Sequence, residues 1–239
     1  MISPDIQTDQ SNDSPARSRR TLKYGLSLGN ETRRPLRPPG PELSAMDLKP
    51  KIRRVPEFKG VVFWDITPLL KDRHAFKDCV KKLADHFREM DIDVVVSNEA
   101  RGFIVGAPVA HELGAGFVPI RKKGKLPPRV ASLDYSKEYE SDTIEIREDA
   151  IEHGDRVLLI DDLLATGGTA KANANLVERL GGKVIAMGFL VELGYLHGRE
   201  YLEEKYDVYS LVNCKSTEVQ DMADGSCSGP NVKKRKQSE

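Results

Sequence analysis

Between residues 51 and 213 apolar positions recur in two alternating rhythms. Short apolar runs at 61–63, 94–97, 117–121, 157–160, 184–191 and 208–212 read as strands. The run Val157, Leu158, Leu159, Ile160 is apolar at every position. A strand without polar alternation has both faces buried, the habit of parallel sheets covered by helices. Residues 143–146 alternate instead, as a half-exposed strand does. Between the strands, residues 75–90 place Val80, Leu83, Ala84 and Phe87 at helical spacing. Residues 102–113 read as a second helix, and 169–180 as a third that stops at Gly181 and Gly182. Strands alternating with helices predict βαβ units, hence an α/β fold with a parallel sheet flanked by helices. In such sheets ligands bind at the carboxyl ends of the strands.

The two ends lack this patterning. Residues 1–50 hold 7 of the 14 prolines, 6 serines and one aromatic residue, Tyr24. Such a segment buries too little apolar surface to offset its ordering entropy, so 1–50 is expected to be a disordered extension. Arg17, Arg19, Arg20, Arg33 and Arg34 suggest an organelle presequence, but Asp5, Asp9, Asp13 and the prolines argue against one. Met46 offers a second start just before the patterned region. From about Cys214 periodicity ends again. The stretch 214–239 is expected to be a disordered tail whose basic end, Lys233, Lys234, Arg235 and Lys236, is solvated rather than a nuclear address. The patterned domain is 51–213, and no internal repeat is present.

Composition changes this picture little. Hydrophobic residues make up 39% of the chain, below the roughly 45–50% of a typical globular domain, as unstructured flanks would require. The 37 basic and 37 acidic residues cancel, which excludes a globally basic nucleic-acid binder. No apolar run approaches the ~20 residues of a membrane span, so neither nucleic acid nor membrane is an expected partner. Cys79, Cys214 and Cys227 are too few and too widely spaced for a disulfide framework or zinc site, which predicts a reducing, cytoplasmic setting. The five histidines show no metal-binding spacing either.

The chemistry concentrates at VLLIDDLLATGGTA, residues 157–170. A buried apolar strand runs directly into Asp161 and Asp162. Two carboxylates there are costly unless sugar hydroxyls or a metal meet them. Leu163, Leu164, Ala165, Thr166, Gly167, Gly168 and Thr169 follow, and then a helix. Small residues let backbone N–H groups approach an anion, and the helix N-terminus adds partial positive charge and spare donors. Thr166 and Thr169 add hydroxyls. One strand–loop–helix thus offers a diol or metal grip beside a phosphate cradle. A plain αβ turn with capping Thr and Gly would have no use for the two carboxylates. Neither a P-loop lysine nor GxGxxG is present.

IDDLLATGGTA resembles the 5-phosphoribosyl-1-pyrophosphate (PRPP) signature of the type I phosphoribosyltransferases. Four further stretches resemble the adenine-using members of that family, in the same order: VVFWDITPLLKD (61–72), EARGFIVGAPVAHELG (99–114), IRKKGKLP…DYSKEYESDTIEI (120–146) and LVELGYLHGRE (190–200). The resemblance covers about 51–213. It implies that family's fold, a parallel sheet flanked by helices with a small N-terminal hood. It also implies a homodimer that turns adenine and PRPP into AMP and pyrophosphate, with magnesium carried by PRPP and not by protein ligands.

Position by position, the resemblance implies that Asp161 and Asp162 hold the ribose 2′- and 3′-hydroxyls. Ala165, Thr166, Gly167, Gly168 and Thr169 would hold the 5′-phosphate. Arg101, Arg121 and Lys125 would reach pyrophosphate, Arg121 from the partner subunit. Val62, Phe63 and Trp64 would contact adenine through backbone groups and stacking, with Leu163 on its other face. Glu138, beside Tyr139 on a mobile loop, would manage the purine proton. The residue types suit the chemistry: fixed cations and magnesium favour a departing diphosphate, a carboxyl group near the base can move its proton, and an oxocarbenium-like ribose needs water excluded. Residues 122–141, polar and punctuated by Gly124, Pro127 and Pro128, are expected to form that lid.

Blander readings exist for some of these residues. Arg101-Gly102 taken alone is a capping turn, Arg121-Lys122-Lys123 a solvated strand end, and Glu138 a surface carboxylate. Phe103, Phe117 and Phe189 read as core. Two features depart from the family pattern: the loop after Pro56-Glu57-Phe58 is about two residues short, and Trp64 stands where a polar residue is usual. Both bear on the base pocket. The rivals are a phosphoribosyltransferase of altered base preference and a non-catalytic PRPP-sensing protein.

Overall fold

The structure is a computed structural model that describes residues 47–58, 61–136, 141–215 and 227–228. It opens with an antiparallel hairpin, β1 (Arg53–Phe58) and β2 (Val61–Asp65), whose register slips between Val55 and Phe58. The helices α1 (Thr67–Lys71) and α2 (Arg73–Phe87) follow. Asp72 caps α2 by accepting hydrogen bonds from the His74 and Ala75 N–H groups, which satisfies two donors the helix itself cannot. The chain continues through β3 (Val94–Asn98), α3 (Arg101–Leu113), β4 (Gly116–Lys122), β5 (Val130–Ser136), β6 (Ser141–Arg147) and β7 (Arg156–Leu164). It ends with α4 (Gly168–Arg179), β8 (Lys183–Leu193), α5 (Gly198–Glu203), β9 (Asp207–Cys214) and β10 (Cys227–Ser228).

Eight strands form one sheet in the order β10-β9-β8-β7-β3-β4-β6-β5. The five central strands, β9, β8, β7, β3 and β4, run parallel, while β5, β6 and β10 pair antiparallel. Side-chain alternation sends successive residues to two separate cores. Val95, Leu158 and Ile160 pack with α2 and α3, whereas Val96, Val157 and Leu159 pack with α4. Both cores exclude water, which explains why residues 157–160 carry no polar position. No helix among the described residues is long and apolar enough to cross a membrane.

Three expectations need correction. The stretch 122–141 is not one continuous loop, because β5 occupies 130–136 and pairs with β6 along its whole length. Ala131, Leu133 and Tyr135 face the second core while Ser132 and Asp134 are exposed, a strand pattern masked by the flanking polar residues. The C-terminal stretch is not wholly without order either: Cys227 and Ser228 pair with Cys214 and Asn213. Trp64 is the third. Its side chain is 3% exposed in the first core, and Nε1 donates to the Tyr195 hydroxyl at 3.4 Å. The indole therefore cannot stack on a base, and only its backbone is left to face one.

Candidate active site

The pairing of β3 with β7 decides where a ligand can sit. From β3 the chain continues to β4 on one side, and from β7 it continues to β8 and β9 on the other. Reversal of strand order opens a crevice at the carboxyl ends of such a pair. A cavity of about 260 Å³ lies there, lined by residues 98–101 at the end of β3 and by 161–170 at the end of β7. Both helices that follow, α3 and α4, start at this cavity, and neither N-cap residue, Ala100 or Gly167, offers a side-chain hydrogen bond. Two sets of spare N–H donors thus converge on one space, each with the positive end of a helix dipole behind it.

Two carboxylates oppose this positive field. Asp161 accepts the Asp162 N–H at 2.9 Å, and Asp162 receives Arg101 Nε at 2.7 Å. Burial, then the neighbouring Asp162 carboxylate, pushes the Asp161 carboxyl well above its ordinary range. Burial also raises Asp162, against the opposing pull of Arg101. The α3 helix approaches so closely that a Cβ on Gly102 would lie 2.6 Å from Asp161 Oδ1. A larger residue there would push the Asp161 carboxylate aside. Such enclosed carboxylates are poised to accept hydrogen bonds from hydroxyl groups, which relieve their desolvation without a counter-charge.

Most of the residues that the motifs select meet around this cavity. Arg101, Asp161, Asp162, Leu163, Ala165, Thr166, Gly167, Gly168 and Thr169 all line it. Thr169 Oγ1 lies 3.4 Å from the Tyr135 hydroxyl of β5. Phe63 stands beside the cavity, with the Arg101 guanidinium 5.1 Å from its ring centre, and Val62 packs against the first core. Arg121 is bound within its own chain: its Nε donates to Glu99 Oε2 at 3.0 Å, and the Lys122 N–H donates to the same oxygen. These two bonds, with the charges of Arg121 and Lys125, hold the Glu99 carboxyl below its usual range. Lys125 is exposed and does not line the cavity. Glu138 and Tyr139 lie outside the described residues.

Glu99 and Tyr135 are additions that no motif argument singled out. Glu99 opens the EARGF stretch and anchors Arg121 at the cavity rim. Tyr135 opens the YSKEY stretch and touches the last residue of the phosphate cradle. Among the described residues no group of three or more His, Cys, Asp or Glu side chains is placed to hold a metal.

Residues 67–225 match the phosphoribosyl transferase domain family. The chain belongs to the phosphoribosyltransferases. Among its phosphoribosyltransferase relatives, the adenine phosphoribosyltransferase of Alkaliphilus metalliredigens is 55% identical over 169 residues, 70% of this chain and 99% of that protein. The adenine phosphoribosyltransferase of Methanococcus maripaludis is 53% identical, over 70% of this chain and 98% of its own. The crystal structure of the Thermoanaerobacter pseudethanolicus adenine phosphoribosyltransferase superposes with a TM-score of 0.67 at 49% identity, covering 70% of this chain and 97% of that one. The Saccharomyces cerevisiae enzyme, solved with an imino-altritol bisphosphate and adenine, superposes at 0.64 with 38% identity, covering 68% and 95%.

Proposed function

We propose that this phosphoribosyltransferase transfers the 5-phosphoribosyl group of PRPP to adenine, giving AMP and pyrophosphate in purine salvage. The observation that carries the proposal is the cavity itself: two enclosed carboxylates facing two uncapped helix N-termini, in a chain 55% identical to an adenine phosphoribosyltransferase. The acid pair Asp161 and Asp162 accepts the ribose 2′- and 3′-hydroxyls. The N–H groups and hydroxyls of 165–169 take the 5′-phosphate. Arg101 starts on Asp162 at 2.7 Å, so the ribose diol replaces it and frees its guanidinium for the departing diphosphate. Arg121, held at the rim by Glu99, and Lys125 add charge on that side.

In the transfer, the bond from ribose C1 to the pyrophosphate oxygen breaks and its electron pair leaves with pyrophosphate. A bond from C1 to an imidazole nitrogen of adenine forms, and the proton on that ring goes to Glu138. Leu163 and the backbone of Val62, Phe63 and Trp64 flank the base. Magnesium carried by PRPP would offset charge on the diphosphate. The oxygen-only character of Asp161 and Asp162 suits such a hard cation's water shell. The active form is a homodimer, and the reaction belongs to the cytoplasm.

The test is a PRPP- and magnesium-dependent assay of the full chain with adenine, hypoxanthine, guanine and orotate in parallel. AMP formed from adenine, abolished by chelation and sharply reduced in Glu138→Gln, is the expected result. Preference for another base would refute the adenine assignment. PRPP binding by calorimetry without turnover on any base would leave a sensing protein in place of the enzyme.

A further inference from the structure

Behind the phosphate cradle lies a buried charged cluster that the transfer chemistry does not use. Arg199 is 7% exposed and Glu192 only 2%. Arg199 donates from Nε to Glu192 Oε1 at 2.9 Å, from Nη2 to Glu192 Oε2 at 2.5 Å and to Ser210 Oγ at 2.9 Å. Its Nη1 reaches Glu203 Oε1 at 3.1 Å and the Val208 carbonyl at 2.7 Å. Ser210 in turn donates to Glu192 Oε2. Every donor group of the guanidinium is engaged, across β8, α5 and β9. A buried ion pair of this kind is weak evidence for stability, since an apolar replacement is often as stable. It does fix one geometry.

What it fixes is the turn that backs the cradle. Gly198, the residue before Arg199, lies flush against the loop 165–167. A Cβ on Gly198 would fall 2.1 Å from the Ala165 carbonyl oxygen and 2.9 Å from the Gly167 nitrogen. The contact is reciprocal, because a Cβ on Gly167, whose φ is +86°, would lie 3.0 Å from the Gly198 carbonyl oxygen. The same turn carries Tyr195, which receives the Trp64 indole N–H. Two glycines thus meet backbone to backbone, one in the loop that faces the cavity and one locked by the Arg199 fork.

We propose that Gly198 and Arg199 are positioning residues for the phosphate cradle: the buried fork fixes the turn, and the bare backbone at 198 sets where the N–H groups of 165–168 point. The proposal rests on the PRPP reading above. Bringing the Ala165 oxygen from 2.1 Å to an acceptable 3.0 Å from a new Cβ requires close to 1 Å of movement. Misplacement of that size outside the reacting atoms costs on the order of 100-fold in rate.

The experiment compares Gly198→Ala, Arg199→Lys and Arg199→Met with Leu83→Ala, a fully buried residue of α2 that serves as a control for lost stability. Readouts are PRPP affinity by calorimetry, KM for PRPP and for adenine, kcat and Tm. Gly198→Ala is expected to weaken PRPP binding and lower kcat/KM for PRPP by roughly 100-fold, with the KM for adenine within about twofold of wild type. Arg199→Lys, which keeps charge but loses the fork, should fall between wild type and Arg199→Met. Leu83→Ala should lower Tm without moving PRPP affinity. If Gly198→Ala does not fold, the graded Arg199 pair decides the question. An active wild type whose Gly198 and Arg199 variants lose Tm but keep PRPP affinity, as Leu83→Ala does, overturns this inference alone. A wild type that neither binds nor uses PRPP overturns the functional reading as well.

Discussion

Replacing Asp161 by Asn separates what the acid pair does for binding from what it costs in folding. The carboxyl is raised well above its ordinary value by burial and by the Asp162 carboxylate. The ligand-free fold therefore disfavours the charged form of this carboxyl. Asn has the same size and keeps an oxygen for the Asp162 N–H, now 2.9 Å away. Removing a poorly compensated charged group relieves about 1–3 kcal/mol of desolvation. For a chain of this size that corresponds to a Tm higher by roughly 2–12 °C. The sign with pH follows from linkage. A group whose pKa is raised on folding contributes stability that is fully present below its unfolded pKa and lost as pH rises through the folded one. The ligand-free wild type should thus fall progressively behind Asp161→Asn as pH rises above about 4. The same substitution removes a charged acceptor for a ribose hydroxyl, worth about 1.5–3 kcal/mol, so PRPP should bind roughly 10–150-fold more weakly. Calorimetric melting across that pH range, with PRPP titrations at pH 8, measures both. A variant that melts below wild type at pH 8, or a gap flat in pH, would refute the reasoning. Asp162→Asn is the internal contrast. There the Arg101 guanidinium already offsets part of the burial cost, so its gain in stability should be smaller than that of Asp161→Asn.

Trp64→Ala should lower Tm by roughly 6–20 °C, since emptying a buried aromatic site costs about 3–5 kcal/mol. Trp64→Phe should keep most of that stability, because an aromatic ring still fills the site and only the 3.4 Å bond to Tyr195 is lost; thermal melting checks both variants. Asp72 is held at about 2 by the Lys51 ammonium and the Ala75 and His74 N–H groups. A depressed pKa contributes stability present above the unfolded value and lost as pH falls through the folded one. The stability gap between wild type and Asp72→Ala should therefore be full at pH 6 and close towards pH 2 in acid titrations followed by circular dichroism. A constant gap would count against the cap.

The parallel core was legible because its strands are buried on both faces. Val157, Leu158, Leu159 and Ile160 had to be apolar whichever side they faced, and Gly181-Gly182 marked the end of α4. The acid pair was legible for the opposite reason, being polar where the pattern demanded apolar residues. Elements that rely on tertiary partners were not legible. The strand β5 alternates only over Ala131, Leu133 and Tyr135, and its polar positions blend with the loop before it. The two-residue β10 has no periodicity to detect. Trp64 illustrates the limit most clearly: its type suggested stacking on a base, but only the fold reveals that the ring points into the first core. The Glu99–Arg121 bond joins residues far apart in sequence, and no local pattern announces it.

The pairing of β3 with β7 has a further consequence, for how the molecule comes into being. Val94 lies beside Val157, and the whole β4–β5–β6 excursion separates them in the chain. Parallel pairings of this reach are made late, because the entropy of closing the intervening loop must be met before the contact repays it. The cavity is therefore not an ornament added to a finished scaffold. Its two walls, 98–101 and 161–170, come together in the same step that joins the sheet's halves. Until β7 has docked on β3, the two walls do not face each other and the cavity between them does not exist.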